Sequence, residues 1–526
     1  MKISKIIVMG ILLIATNIHA QSNYTKDPES CTSIMVGKKA TTDGSVITSH
    51  TCDSWYRTWV DMVPAQKYEK DTIMAIYDGR MHTEFITDMT KVTVKGTIPQ
   101  AKQTYAFMDT SYPCMNEKQL GIGETTITGR KELQNPKGMF MIEELQRVAL
   151  QRCKTAREAI ILMGELIKKY GYADSGECLT IADPNEVWHF EVFGEGPDKI
   201  GGVWAAIRIP DDHVGVSANI PRISTLNLKD KDNCMASENV FEVAKNLKLW
   251  DGKETFKWWK AYSGRKAFSV REYFILDKLA PSLNLDYEAE ELPISVKPDK
   301  QVSVTDVMAL LRQTYEGTKW DVTQNLKVTV KEKGSEKVDT IISPKANPWM
   351  RPDEIKMLKG IKDEAVTQVR NIAVPQCAYS TVIQLRSWLP DAIGGIVWFS
   401  LDNPGQSPRI PVFCGVKDFP TLLDICGNHR YRDDAALWHY REANKLAATK
   451  WGTYRTIMEK NIKHFEEKGQ RELPFVEATY QQILKEKGED AARDFLTGYT
   501  GDFFGATILR WDEMTREYWI QSRFGL

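Results

Sequence analysis

The stretch from Glu177 to Ala218 constrains this chain most, because four apolar runs follow one another there with only turn-forming segments between them. "DPNE", "GEGPDKIGG" and "PDDH" supply the Asp, Asn, Gly and Pro residues that reverse a chain, so the runs read as consecutive antiparallel strands. Asn219 falls at the end of the last one. A second pair of strands, "AYSTVIQLR" and "GGIVWFSL", ends near Leu401. Near the start, "TSIMVG" and "SVITSH" are joined by "KKATTDG", whose Asp43-Gly44 pair predicts a β-hairpin with Cys31 at its beginning.

Helices come in blocks of their own. Between Met139 and Tyr170 the apolar spacing predicts two, divided near Thr155, where Thr155 and Glu158 fit a capping box, and Gly171 marks the stop. Another is predicted from Thr305 to Tyr315, stopping at Gly317. From Ala436 onward, apolar or small residues at 436, 440, 443, 447, 451 and 454 keep helical spacing, which marks a packing surface and not chemistry. Strands in blocks and helices in blocks, without single βαβ alternation, imply an α+β layered fold with helices covering antiparallel sheets. "VTVKEKGSEKVDTII", Val328 to Ile342, reads as a charged hairpin around Gly334 projecting into solvent, and "EAEELPISVKPDK" is the most linker-like stretch.

The amino terminus has its own logic. Lys2 and Lys5 precede an apolar run, Ile6 to Ala15, that ends near the small residue Ala20. This is the pattern of a secretory signal peptide, and the run is too short to span a bilayer. Ile18 stands where a small residue is preferred, so the cut after Ala20 is less defined than the signal. The polar "QSNYTKDPES" that follows shows no periodicity and reads as a propeptide whose removal would leave Cys31 first. The plainer reading is a loose tail before an ordinary cysteine. The expected organisation is a signal at 1–20, a propeptide at 21–30, one catalytic domain at 31–430 and a packed helical region at 431–526.

A formal charge of -1 over 526 residues, 42% of them hydrophobic, describes a globular chain too balanced for generic nucleic-acid binding. Nine cysteines form no CxxC pair and are too sparse for a disulfide scaffold. An odd count in an exported protein leaves a thiol over, to serve as a reactive group or a small core residue. Phosphate-loop, dinucleotide, GxSxG and HExxH patterns do not occur. The eight histidines have no familiar ligand spacing, so a metal site would need distant contributors; neither metal nor cofactor is expected.

A cysteine made N-terminal carries a free α-amine beside its thiol. The ordinary values, about 8.5 for the thiol and about 7.7 to 8.0 for the amine, let the amine act as its base. Such a thiolate can attack an amide carbonyl and pass through an acyl-enzyme, given an orienter for the amine and an oxyanion hole.

Several ordered segments then carry a resemblance: "CTSIMVGKKATTDGSVITSHTCDS", "NEKQLGIGETT" from Asn116, "SANIPRI" from Ser217, "YEGTKWD" from Tyr315, and "CAYSTVIQLRSWLP" from Cys377 with "GGIVWFS" following. From Cys31 to about Leu401 the chain resembles the cysteine dipeptidases, dipeptidase D or PepD-like, among the N-terminal-nucleophile hydrolases related to choloylglycine hydrolase and penicillin V acylase. The resemblance implies a four-layer αββα fold, autocatalytic exposure of the nucleophile and hydrolysis of short peptides.

It also implies roles. Cys31 matches the nucleophile, and Asp53 the carboxylate that holds its amine; without the family, Asp53 would read as a turn cap. Asn219 matches an oxyanion-hole asparagine of the related acylases, although an asparagine at a strand end is usually a turn residue. Those acylases carry an arginine three residues before the aspartate, where this chain has His50, which cannot make a bidentate carboxylate contact. A plain strand histidine is the alternative. Thr126 falls by offset at the second oxyanion position, and Arg271 in "FSVREYF" matches a distal arginine or else snorkels on a helix surface.

The expected function is an exported, periplasmic or extracellular, cysteine dipeptidase acting on small peptides, with no nucleic acid and no stable membrane insertion; a homo-oligomer stays open. The alternatives are an N-acyl amide hydrolase using the same Cys31 chemistry, or a secreted binding protein whose fifteen tryptophans line a groove.

Overall fold

The structure, a computed structural model, describes residues 31–522 apart from 332, 333, 335 and 368; the expected signal and propeptide lie outside the described residues. Two antiparallel sheets dominate it. The seven-stranded sheet runs in the order Ser295–Val296, Val214–Ser217, Ser33–Val36, Val46–Asp53, Cys377–Leu385, Ile396–Leu401 and Ile410–Phe413. The eight-stranded sheet runs Cys234–Ala236, Gly202–Ile209, Val187–Gly194, Glu177–Ala182, Gly121–Thr126, Met115–Asn116, Phe107–Asp109 and Asp61–Val63.

The sheets meet face to face, and part of the seam is polar. The Thr48 and Thr180 hydroxyls lie 2.6 Å apart, Thr125 and Ser217 likewise 2.6 Å, and Ser33 Oγ donates to the Glu124 carbonyl at 3.3 Å. Side chains that alternate along each strand put these small hydroxyls inward, and each finds a partner, so their burial is compensated. Gly121 and Gly123 let the strands approach closely: a Cβ on Gly121 would sit 2.9 Å from the Ile383 side chain.

Helices cover the outer faces. Ala156–Tyr170 lies on the eight-stranded sheet, where Gly164 seats against the Trp204 ring. Its amino end is closed by the predicted capping box of Thr155 and Glu158, and Gly171 takes a positive φ of 81° at its end. On the other side, Val270–Leu279, Val304–Leu311 and the long C-terminal helices pack on the seven-stranded sheet, with Gly469 against Trp398. The C-terminal region consists of Ala436–Thr449, Trp451–Lys487 and Glu489–Gln521, and all six positions picked out by helical spacing are buried.

Three expectations need correction. The strands between Glu177 and Ala218 do not all neighbour one another, because Val214–Ser217 leaves the eight-stranded sheet and pairs with Ser33–Val36 in the other. The free edge of Gly202–Ile209 is taken by Cys234–Ala236 instead. Periodicity reports which face of a strand is buried and says nothing about its partner. The helix expected to reach Tyr315 stops at Leu311, since Tyr315 itself adopts a left-handed backbone at φ 60°. The linker-like stretch contains the edge strand Ser295–Val296 and the buried Leu292, so it is woven into the sheet. The charged hairpin, Lys327–Lys331 paired with Val338–Ile342, is exposed throughout its strands.

Candidate active site

Cys31 is fully buried immediately before Ser33–Val36. Ser33 pairs with Ser217 in an antiparallel register, so two residues further along each strand Cys31 comes opposite Asn219. The crossing of Val214–Ser217 between sheets is therefore what carries Asn219 to the cysteine. Asn219 takes a left-handed conformation, φ 64°, which asparagine tolerates better than most residues, and its side-chain amide donates to the Thr126 carbonyl at 2.7 Å.

Arg271 ties the two together. It is buried on the first turn of Val270–Leu279, not exposed, so the surface alternative does not hold for it. Its guanidinium donates to the Cys31 carbonyl at 2.6 Å and Thr32 Oγ1 at 3.1 Å, and to the Ala218 carbonyl at 3.0 Å and Asn219 Oδ1 at 2.8 Å. Burial, then the nearby Arg370, brings Arg271 down to about 10, which leaves it cationic at neutral pH. The same helix fixes the neighbouring backbone, since Glu272 Oε1 accepts from Ala218 N–H at 3.1 Å.

Asp53 closes the hairpin strand that begins at Val46. Its Oδ2 accepts from Thr51 Oγ1 at 2.8 Å and Arg370 Nη2 at 2.7 Å, and Thr51 Oγ1 in turn accepts from Thr32 N–H at 2.9 Å. Asp53 Oδ1 is buried and has no hydrogen-bond partner among the described residues. It is thus not a turn cap in the ordinary sense: one oxygen is bonded twice, and the carboxylate is near enough to push both the Cys31 and the Cys377 thiols up.

His50 lies three residues before Asp53 on the same strand, fully buried, edge-on to Tyr112 and Tyr379 with ring centroids at 5.4 and 5.8 Å. Its Nε2 is 3.3 Å from Glu124 Oε2, across the seam between sheets. Thr126 ends the strand Gly121–Thr126 next to this group: its carbonyl accepts from Asn219, and its hydroxyl donates to Glu124 Oε1 at 3.3 Å.

Burial raises the Cys31 thiol well above its ordinary value, Glu124, Cys52 and Asp53 add to the rise, and the Asp53 N–H opposes it. The thiol is therefore protonated at neutral pH in this state, and its use as a nucleophile requires a nearby proton acceptor. All nine cysteines are free thiols.

No motif of the sequence assigns a role to Glu124, Arg370 or Glu191. Glu191 anchors the backbone after Asn219 by accepting from Arg222 and Ile223 N–H, and is itself held by His189 Nε2 at 2.7 Å and Trp258 Nε1 at 2.6 Å. A buried acid within a strand has no signal in one sequence, because its partners come from distant segments. A basic residue facing the expected carboxylate was the one searchable clue for Arg370, and 317 positions separate the pair.

The structure thus gathers a buried thiol, a buried carboxylate and an arginine-clamped asparagine at the ends of neighbouring strands. The chain belongs to peptidase family C69, which it matches over residues 30–467. Among curated relatives, a probable dipeptidase of Latilactobacillus sakei is 26% identical over 414 residues, covering 74% of this chain and 75% of that protein. Probable dipeptidase B of Streptococcus pyogenes serotype M1 is 24% identical over 483 residues, covering 85% and 83%. A probable dipeptidase of Salmonella dublin is 24% identical over 411 residues, covering 74% and 82%.

Proposed function

We propose that this peptidase is an exported cysteine dipeptidase of the N-terminal-nucleophile type, with Cys31 as nucleophile and its own α-amine as base. The observation that carries the reading is the buried Asp53 Oδ1, which has no hydrogen-bond partner among the described residues, on a carboxylate close enough to act on the Cys31 thiol. Membership of the family and the names of the relatives support peptide hydrolysis. The basic and apolar leader supports export, and no helix among the described residues is long and apolar enough to cross a membrane.

In this mechanism the α-amine takes the thiol proton and Asp53 Oδ1 accepts from the resulting ammonium. The thiolate attacks the scissile carbonyl carbon, forming a C–S bond, and the oxyanion is met by the Asn219 amide. Collapse breaks the C–N bond, and the ammonium returns its proton to the departing amine. Water, deprotonated by the same amine, then hydrolyses the thioester and regenerates Cys31. Arg271 positions both ends of this machinery through the Cys31 carbonyl and Asn219 Oδ1. Thr126 supports the asparagine through its carbonyl, and His50 pairs with Glu124 nearby.

Intact mass of the secreted wild-type protein and of Cys31→Ala, with both assayed on a panel of dipeptides, tests the proposal. Wild type should begin at Cys31 and release free amino acids; the variant should retain "QSNYTKDPES" and release none. Identical, longer amino termini in both proteins would remove the base and sink the mechanism. A correctly processed enzyme that cleaves no dipeptide would sink the substrate assignment.

A further inference from the structure

Cys31 is buried beside two other groups that bind metals. The Cys31 sulfur, a ring nitrogen of His50 and a carboxylate oxygen of Glu124 all lie within 4.8 Å of one another, and all three side chains are fully buried. They come from the start of one strand, the middle of its hairpin partner and a strand of the facing sheet, so the sequence keeps them far apart and the seam between the sheets brings them together. His50 Nδ1 has no hydrogen-bond partner among the described residues, and His50 Nε2 and Glu124 Oε2 face only each other, at 3.3 Å and without hydrogen-bond geometry. Buried polar atoms left in that state call for an occupant that satisfies them together.

The geometry points to a divalent zinc site on Cys31, His50 and Glu124 that reversibly blocks the nucleophile. Thiolate, imidazole and carboxylate are the donor types that zinc takes, and the sulfur and nitrogen pair excludes the hard cations magnesium and calcium. Bonds of about 2.0 to 2.3 Å in a tetrahedron place neighbouring donors roughly 3.3 to 3.8 Å apart. The His50 and Glu124 atoms stand at 3.3 Å already, and the sulfur has to close by less than the width of an atom. On binding, the thiol proton is released to solvent, and a dication with thiolate, carboxylate and neutral imidazole leaves a cluster of zero net charge, suited to burial. The fourth position takes water or the substrate's own donor. While zinc is bound, the sulfur lone pair that would attack a carbonyl is coordinated, so metal removal restores a competent thiol. All three donors are side chains, so the site depends neither on leader removal nor on the peptide substrate.

The metal-free protein, as secreted, is dialysed against zinc and its content measured; cobalt is then substituted and the absorption spectrum recorded. One zinc per chain is expected, along with a thiolate-to-cobalt charge-transfer band that disappears after Cys31 is alkylated. Magnesium should not compete. Glu124→Gln and His50→Gln should each weaken zinc retention by roughly a hundredfold or more. The cobalt band on the unmutated protein keeps the inference testable should a variant fail to fold. Zinc retained equally by Cys31→Ser, or a cobalt complex without the thiolate band, would overturn it. Neither readout uses peptide cleavage, so failure of the dipeptidase assignment is distinguishable from failure of this one.

Discussion

Arg271 shows what a single buried guanidinium accomplishes here. Its two terminal nitrogens each serve two acceptors, and together they join residues 31 and 32 to residues 218 and 219. A lysine at the same place keeps the charge but offers a single ammonium, which cannot span both pairs. For Arg271→Lys we expect kcat on a dipeptide to fall about 100-fold, KM to change little and the thermal midpoint to hold within a few degrees. A loss of stability in step with the loss of kcat would make the residue structural only. In the sequence this arginine stands in "FSVREYF", where helical spacing alone cannot distinguish a buried from a snorkelling side chain. Cys31, Asp53 and Asn219 were legible because local turns and ordered family segments surround them. Glu124 and Arg370 were not, since each acquires meaning only from a partner on another element.

At the scale of elements, local chemistry was the readable part. Asp43 caps the first hairpin by accepting from Ser45 N–H at 3.1 Å, with Gly44 at φ 84°, and Thr155 and Glu158 close their helix as their spacing predicts. The partner of each strand was unreadable, and the site depends on that partnership. The seam between sheets has little slack. A Cβ on Gly123 would overlap the Ser49 carbonyl oxygen and lie 2.5 Å from Thr180 Oγ1 and 3.1 Å from Ser33 Oγ. Backbone cannot step aside as a flexible side chain does, so Gly123→Ala should cost about 1 to 3 kcal/mol. Gly360, on an exposed helix with nothing within 4 Å of its Cβ position, is the control. Urea unfolding of the two alanine variants should show a clear loss for Gly123→Ala and none for Gly360→Ala; equal midpoints would mean that the sheets can separate at no cost.

At the scale of the molecule, the family match ends at residue 467, inside the unbroken helix Trp451–Lys487, while the packing continues beyond it. Gly469 lets that helix approach the Trp398 ring, and Arg386 pairs with Glu477. The last helix returns along the same sheet: Thr500 Oγ1 donates to the Pro411 carbonyl at 3.0 Å, Arg493 reaches Glu117 at 3.2 Å, and Leu496, Phe503, Phe504 and Trp511 are buried. The first of the three, Ala436–Thr449, locks Asp402, just past the end of Ile396–Leu401, through Arg441 at 2.6 Å and Asn444 at 2.9 Å. These helices cover Ile396–Leu401 and Ile410–Phe413, which lie in the sheet next to Cys377–Leu385, and Cys377–Leu385 in turn pairs Cys377 with Asp53. Removing them would therefore expose one face of the sheet that holds the site, at a cost a domain of marginal stability cannot absorb. A chain ended after Ala435 should collect as aggregate on size-exclusion chromatography and lack dipeptide cleavage. Replacing the exposed hairpin Lys327–Ile342 with a short turn should leave a monodisperse enzyme with kcat/KM within about twofold. A soluble, active truncation would show instead that the sheet stands without its helical cover, and the C-terminal helices would then need a reason other than packing.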